Sequence, residues 1–221
     1  MDLATALQDR HSCRAFLPKV PTKESVMRAV EMASTAPSSK NGQPWKLFVS
    51  VGEACDRLRD ELCASFDDAL EMHPDYRYSP ADMPPEMLDR ARTCGISLFA
   101  HKGITRDDKD GRKAHDRENF RLFGAHAVAV LTLPRVAEKG TFLDGGLFLA
   151  QFLLALRGEG YESTPMYSVV GYPEVFREEM DIPEDRLVVC AVAFGKEDPA
   201  AHVNTFRTPR EPAEKLVAWA E

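Results

Sequence analysis

Arg10-His11-Ser12-Cys13-Arg14 places two guanidiniums, an imidazole and a hydroxyl within five residues. On an extended backbone Arg10, Ser12 and Arg14 project to the same side. Arginine's planar fork makes bidentate, charge-assisted hydrogen bonds, so such a row suits a phosphate group. A solvated charged turn is the alternative reading. Near the other end, Asn204-Thr205-Phe206-Arg207-Thr208-Pro209-Arg210 offers two more arginines. Its prolines lower the entropy lost when such an arm is fixed, although a plain surface tail would look the same. A third segment, Ala36–Trp45 (Ala-Pro-Ser-Ser-Lys-Asn-Gly-Gln-Pro-Trp), cannot continue a helix and carries many hydrogen-bonding groups in little length. Read alone, it is equally a polar connecting loop.

Other chemistries lack their residues. Gly158-Glu159-Gly160 has neither the third glycine nor the preceding strand of a dinucleotide fingerprint, and Asp144-Gly145-Gly146 is not followed by Gly-Lys-Ser/Thr. The six histidines show no metal-ligand spacing, and a calcium loop through Asp108 and Asp110 would need ligands at Arg106 and Arg117. No metal is therefore expected. A Gly-x-Ser-x-Gly elbow is missing. Cys13 lies near His11 in sequence and could be a reactive thiol, but an inert buried thiol is the favoured reading.

A chain of 221 residues can bury one substantial core without disulfides or metals. Its 44% hydrophobic and 29% charged content is that of a soluble globular protein, and a net charge of −7 argues against nucleic acid as a partner. It does not exclude a local basic pocket. The N-terminus lacks the pattern of a signal peptide and no apolar run approaches a bilayer span, so no membrane partner is expected. Five scattered cysteines without a CxxC pair suit reduced thiols in a cytoplasm.

The elements that must hold these groups follow from residue spacing. Asp2 caps a short helix with Leu3, Ala6 and Leu7 on one face; Thr22 caps a second with Val26, Ala29, Val30 and Ala33, ended by Ala36-Pro37. The segment from His11 to Val20, broken by Pro18, is extended or looped. Leu47, Val49 and Val51 alternate as on a half-buried strand, and Leu58, Leu62, Phe66 and Leu70 predict a helix over Asp56–Met72. The proline-rich stretch His73–Pro85 predicts an excursion loop. A helix over Glu86–Ala100, an exposed charged run over Thr105–Lys113 and a weaker helix over Ala114–Leu122 follow.

Ala127–Leu133 and Leu187–Phe194 are apolar almost throughout, as strands covered on both faces are. Asp144–Arg157 is apolar nearly all round, which predicts a helix at the heart of the fold or of an interface. Glu174–Met180 is a short amphipathic helix. From Asp198 onward prolines predict an extended arm, then a short helix over Ala213–Ala220. Interleaved helices and strands without an internal linker predict one domain, 1–221, with an α+β layered fold.

Taken together, Arg10-His11-Ser12-x-Arg14, Ala36–Trp45, a Thr164-Pro165 turn and the terminal Arg207-Thr-Pro-Arg210 resemble the FMN-dependent nitroreductase family, in the family's order and over essentially the whole chain. The resemblance implies a central, mainly antiparallel sheet flanked by helices, in an intertwined homodimer with FMN at the subunit interface. It implies that Asp144–Arg157 is the central dimer helix and that the arm, about 198–221, extends over the partner subunit. By position, Arg10 and Ser12, with His11 alongside, would serve the phosphate and ribityl end, and Arg14 would approach N1 and O2 of the flavin. Pro37, Ser38, Ser39 and Asn41 match positions that reach the cofactor of the partner subunit. Thr164, Pro165 and Met166 match the turn beside N5, Arg210 matches the C-terminal phosphate arginine, and Arg207 would assist it. The family's mid-chain Asn and Lys contacts have no counterpart in this sequence, and the turn reads Thr-Pro-Met rather than the usual variants.

The implied activity is ping-pong hydride transfer through flavin N5, from NADPH or NADH to a nitroaromatic or quinone, with no catalytic side chain. The alternative is an FMN-binding dimer that stores, senses or sacrifices the flavin. Tyr76, Tyr78, Phe99, Phe120 and Phe123 are candidate walls for an aromatic acceptor, with core packing as their alternative. Lys102 or Arg106 would meet an acidic substrate or the NADPH phosphate.

Overall fold

The computed structural model of the protein describes residues 2–79 and 82–220. Among these residues the elements run α1 (Leu3–Asp9), α2 (Lys23–Ala33), β1 (Lys46–Val51), α3 (Glu53–Asp67), α4 (Pro85–His101) and α5 (Lys109–Phe120). They continue with β2 (Ala127–Pro134), α6 (Lys139–Gly158), β3 (Glu162–Met166), α7 (Pro173–Met180) and β4 (Arg186–Gly195). The strands form one sheet in the order β1-β2-β4-β3, with every pair antiparallel. The α+β architecture with a central antiparallel sheet is thus as expected.

Two apolar layers sandwich the sheet. On one face Val128 and Val130 of β2 and Val188, Ala191 and Ala193 of β4 meet Leu58 and Leu62 of α3, Phe120 of α5 and Phe176 of α7. On the other, Leu131, Leu133, Val192 and Phe194 meet Val26 and Ala29 of α2 and Phe148, Phe152 and Leu156 of α6. Both faces of the central strands are therefore covered, which is why β2 and β4 read as unbroken apolar runs. Burial on α6 explains its composition as well. It is the one helix among the described residues with the length and apolarity of a bilayer span, and it packs chiefly on α2 and the sheet.

The β2–β4 register slips between Leu131 and Thr132: Leu131 faces Cys190, whereas Thr132 faces Val188. Val189 is the extra residue of this β-bulge, so Val189 and Cys190 both turn to the α6 side. The bulge frees a backbone acceptor, and the Val189 carbonyl takes the hydroxyl hydrogen of Tyr76 at 2.8 Å.

Several expected boundaries move. The helix expected over Asp56–Met72 runs from Glu53 to Asp67; Ala69 turns left-handed (φ 53°) and Leu70 is exposed. Asp108 caps α5 by accepting the Gly111 N–H, so the helix expected from Ala114 starts five residues earlier, inside the exposed charged run. Glu138 and Thr141 form a capping box that starts α6 at Lys139, five residues earlier than its apolar run suggests. On edge strand β1 the buried side chain is Ser50, with Phe48 and Leu47 packed on the two core layers, whereas Val49 and Val51 are exposed. The Thr164-Pro165 turn is instead part of strand β3, where Pro165 opposite Val192 is tolerated because β3 is an edge. The final helix shrinks to a single turn at Ala213–Lys215, since Leu216, Val217 and Trp219 find nothing to pack on in this chain. The excursion loop before α4 is as expected, with Pro80 and Ala81 outside the described residues.

One buried amide joins the two ends of the chain. Asn204, 3% exposed, accepts the Arg14 N–H at 2.8 Å and donates to the carbonyls of Ala15 (2.9 Å) and Asp198 (3.1 Å). Replacing it by alanine would leave buried backbone groups unpaired, so Asn204→Ala is expected to cost about 2–3 kcal/mol in urea denaturation. Limited proteolysis should then cut the arm beyond Asp198 faster; unchanged stability and cleavage would show that other contacts hold the arm.

Candidate functional site

The segment after α1 runs beside β3. Ser12 pairs with Ser163 in a parallel bridge, and the Cys13 N–H donates to the Ser163 carbonyl at 3.1 Å. The extended backbone alternates burial: His11 and Cys13 turn inward, whereas Arg10, Ser12 and Arg14 stay accessible. The Asn204 clamp lays the C-terminal arm against this row. As a result Arg10, His11, Ser12 and Arg14 line one cleft of about 590 Å³ together with Arg207 and Arg210.

Among the described residues none of these four arginines lies within salt-bridge distance of a carboxylate. Arg207 donates to the backbone carbonyls of Asn204 (2.6 Å) and Phe206 (3.0 Å), Arg210 to those of Thr208 (3.0 Å) and Pro209 (3.1 Å), and Arg14 to that of Ser12 (3.2 Å). The nearby acids are engaged elsewhere: Arg157 takes both Asp9, at 3.3 Å, and Glu162. Burial, followed by the charge of Arg210, holds the Arg10 guanidinium below its ordinary pKa, and burial does the same at Arg14. The cleft is a concentration of positive charge, and among the described residues its one lining acid, Asp9, pairs with Arg157 rather than with these four.

His11 has a different place from its sequence neighbours. Its ring is buried, with Nδ1 3.0 Å from the Asp9 carbonyl and Nε2 3.3 Å from Glu197. Both nitrogens have partners within the chain, and the residue borders the cleft alongside Arg10 and Ser12. Cys13 is fully buried, its Sγ donating to the Ala15 carbonyl, and burial pushes its thiol up to about 12. It is no nucleophile.

Pro37, Ser38, Ser39 and Asn41 do not line the arginine cleft of their own chain. The Ser39 N–H donates to Asp144 of α6 at 3.3 Å, Ser38 Oγ accepts the Gln43 N–H at 3.0 Å, and Trp45 stacks on Phe148 of α6 at 4.9 Å. Lys40, Asn41 and Gln43 all adopt left-handed backbone (φ 53°, 56° and 43°). Three such residues in four positions store strain, a feature that clusters at functional sites. On β3, Thr164 and Met166 are buried at 3% and 2% exposure, which leaves the backbone and the half-buried Pro165 ring as what this strand can offer.

A second cavity, of about 510 Å³, lies past the far end of β3. Tyr76, Tyr78 and Tyr167 wall it, with Tyr78 stacked on Tyr167 at 4.0 Å between centroids. From Ser163 at the arginine cleft to Tyr167 is four residues, about 13 Å along an extended chain. Tyr167, absent from the sequence candidates, follows Met166 directly; only the strand reveals that it faces a cavity. Of the other aromatic candidates, Phe120 and Phe123 belong to the core, and Phe99 packs edge-on against His115. Lys102 donates to His115 at 2.9 Å, and Arg106 is exposed.

A family model for the nitroreductases matches residues 7–196. Nitroreductase NfnB of Mycolicibacterium smegmatis is 31% identical over 214 residues, covering 95% of this chain and 91% of that protein. Chloronitrobenzene nitroreductase of Comamonas testosteroni is 29% identical, over 96% and 94% respectively. The crystal structure of the FMN and NADPH-dependent nitroreductase NfnB from Sphigopyxis sp. strain HMH covers all of both chains, with a TM-score of 0.95 at 30% identity. Motifs, fold and relatives agree: this chain belongs to the nitroreductase family.

Proposed function

We propose that this protein is an FMN-dependent NAD(P)H oxidoreductase that reduces nitroaromatic acceptors, with quinones as further acceptors, and that it works as a homodimer. The observation that carries this reading is the cleft in which four arginines from the two chain ends converge, its one lining acid, Asp9, being paired with Arg157. That donor set fits a phosphate monoester, which needs several charge-assisted donors at once. Arg10, Arg207 and Arg210 hold the phosphate, Ser12 the ribityl chain, and Arg14 the pyrimidine edge of the ring. The backbone of Thr164-Pro165-Met166 would be what β3 offers to the ring, on the way to the aromatic cavity. The bound flavin supplies the two-electron chemistry through N5, in ping-pong half-reactions with NADPH or NADH and the acceptor.

Orientation and polarisation are what this chain adds. A fixed guanidinium at the pyrimidine edge favours negative charge there without reorganisation. Tyr76, Tyr78 and Tyr167 offer ring faces to a flat acceptor. The dimer follows from two features. Leu143 and Leu147 of α6 are exposed at 67% and 39% with no partner in this chain, and Asp144 between them holds Ser39. An α6-centred interface covers the leucines and presents Pro37, Ser38, Ser39 and Asn41 to the site of the partner subunit.

Adding NADPH or NADH anaerobically to FMN-loaded protein should bleach the yellow flavin spectrum, and a nitroarene should restore it. A spectrum indifferent to both nucleotides would leave only the flavin-storage reading. Arg10→Ala should weaken FMN binding by about tenfold or more while leaving riboflavin, which has no phosphate, nearly unaffected; equal losses would remove Arg10 from the phosphate. No protein thiol takes part. Cys13, Cys55 and Cys190 are pushed up to about 12 by burial. At pH 8 an aromatic disulfide reagent should therefore label at most one thiol rapidly, Cys94, and all five after denaturation.

A further inference from the structure

The loop over Ala36–Trp45 is held in an uncommon shape by its two ends. Lys40, Asn41 and Gln43 keep left-handed backbone, a conformation that persists only where the surroundings over-determine it. At the near end Ala36 is buried in the α2–α6 layer, and the Ser39 N–H reaches Asp144 at 3.3 Å. At the far end the anchor is one guanidinium. Arg186, the first residue of β4, donates from Nη2 to the Pro44 carbonyl at 2.9 Å and to the Thr132 carbonyl at 2.8 Å. From Nε it donates to Thr132 Oγ1 at 3.0 Å. Thr132 is fully buried, and its hydroxyl passes the contact on by donating to the Lys46 carbonyl at 3.0 Å. The carbonyls on both sides of Trp45 are thereby tied to one residue of β2, while the Trp45 ring stacks on Phe148.

These donors meet three neutral oxygens, so the clamp contributes direction rather than charge neutralisation. The Arg186 backbone is fixed in turn, because its carbonyl accepts Arg177 Nη2 at 3.0 Å and Asp75 holds that same nitrogen at 2.7 Å. Arg186 is also far from the arginine cleft of its own chain. Ser163, beside that cleft, pairs with Phe194, at the other end of β4 from Arg186. Those eight residues of strand span about 25 Å. The loop that Arg186 clamps does not line that cleft either.

Resting on the reading of a dimeric FMN protein above, we infer that Arg186 is a positioning residue for the flavin site of the partner subunit. It fixes the frame from which Pro37, Ser38, Ser39 and Asn41 reach across the interface, and it acts on no flavin bound in its own chain's cleft. A lysine cannot take its place in full, since one ammonium offers no planar fork to span Thr132 and Pro44. Without the clamp the Pro44 end of the loop is released, and the left-handed residues relax toward ordinary backbone.

Mixed dimers test this, isolated with two different affinity tags and read by titration of FMN fluorescence, which needs no turnover. In homodimers Arg186→Ala should weaken FMN binding about tenfold with unchanged circular dichroism and dimer mass, and Arg186→Lys should recover only part of the loss. A dimer of one Arg186→Ala chain and one Arg10→Ala chain should hold one site of wild-type affinity, because its intact cleft faces an intact loop. A dimer of a wild-type chain with a chain carrying both substitutions should hold none. Arg186→Lys, which keeps the charge and most of the stem, serves the same comparison if alanine unfolds the chain. The reverse pattern would place the effect within one chain, and wild-type affinity in the Arg186→Ala homodimer would separate Arg186 from the flavin; either result overturns the inference. A monomeric wild type, or one that takes up no FMN, would overturn the dimeric FMN reading and this inference with it. Normal FMN uptake and complementation without bleaching by either nucleotide would strike only the reductase reading.

Discussion

The Asn204 carboxamide is the contact on which the arginine cleft depends. Four guanidiniums gathered without counterions repel one another, and the segments carrying Arg10 and Arg207 are almost two hundred residues apart in sequence. A neutral amide with its oxygen and both hydrogens engaged holds the arm against Ala15 and Arg14 without adding charge. A carboxylate at that position would also accept the Arg14 N–H, but it would neutralise the charge that an anionic ligand needs. It would also lose the two bonds donated to carbonyls.

Charge placement follows the same logic across the molecule. The chain is acidic, with 35 Asp and Glu against 28 Lys and Arg. Its carboxylates nevertheless serve structural cations: Asp9 and Glu162 serve Arg157, and Asp75 serves Arg177 and Arg135. Among the described residues Arg10, Arg14, Arg207 and Arg210 have no carboxylate within salt-bridge distance. An unpaired cation in an acidic protein is informative because pairing was available.

The sheet turns these local features into one site. β3 connects the arginine cleft to the aromatic cavity along a single strand, with the cleft at Ser163 and the cavity beyond Met166. A bulge in the neighbouring strand frees the Val189 carbonyl for Tyr76. Asp75, one residue earlier, ties the same loop to Arg177 and to the Val188 N–H. The walls of the cavity are thus fixed to β4 and α7 rather than left on a free loop.

Sequence alone determined the chemistry on offer and much of the framework. The arginine rows, the capped helix after Thr22, the buried strands through Val130 and Val192 and the long apolar helix were all legible, because each depends on residue type and short-range spacing. What tertiary structure decided depends on contacts between distant residues. It placed Thr164-Pro165-Met166 on an edge strand rather than in a turn, because the ladder to β4 supplied hydrogen bonds that local proline preference does not foresee. It brought Glu197 to the His11 ring, and placed Phe120 and Phe123 in the core. It made Tyr167, Arg77 and Lys139 neighbours around one cavity, and gave Asn204 its role, because only the folded chain shows which polar groups are already paired and which still need a partner.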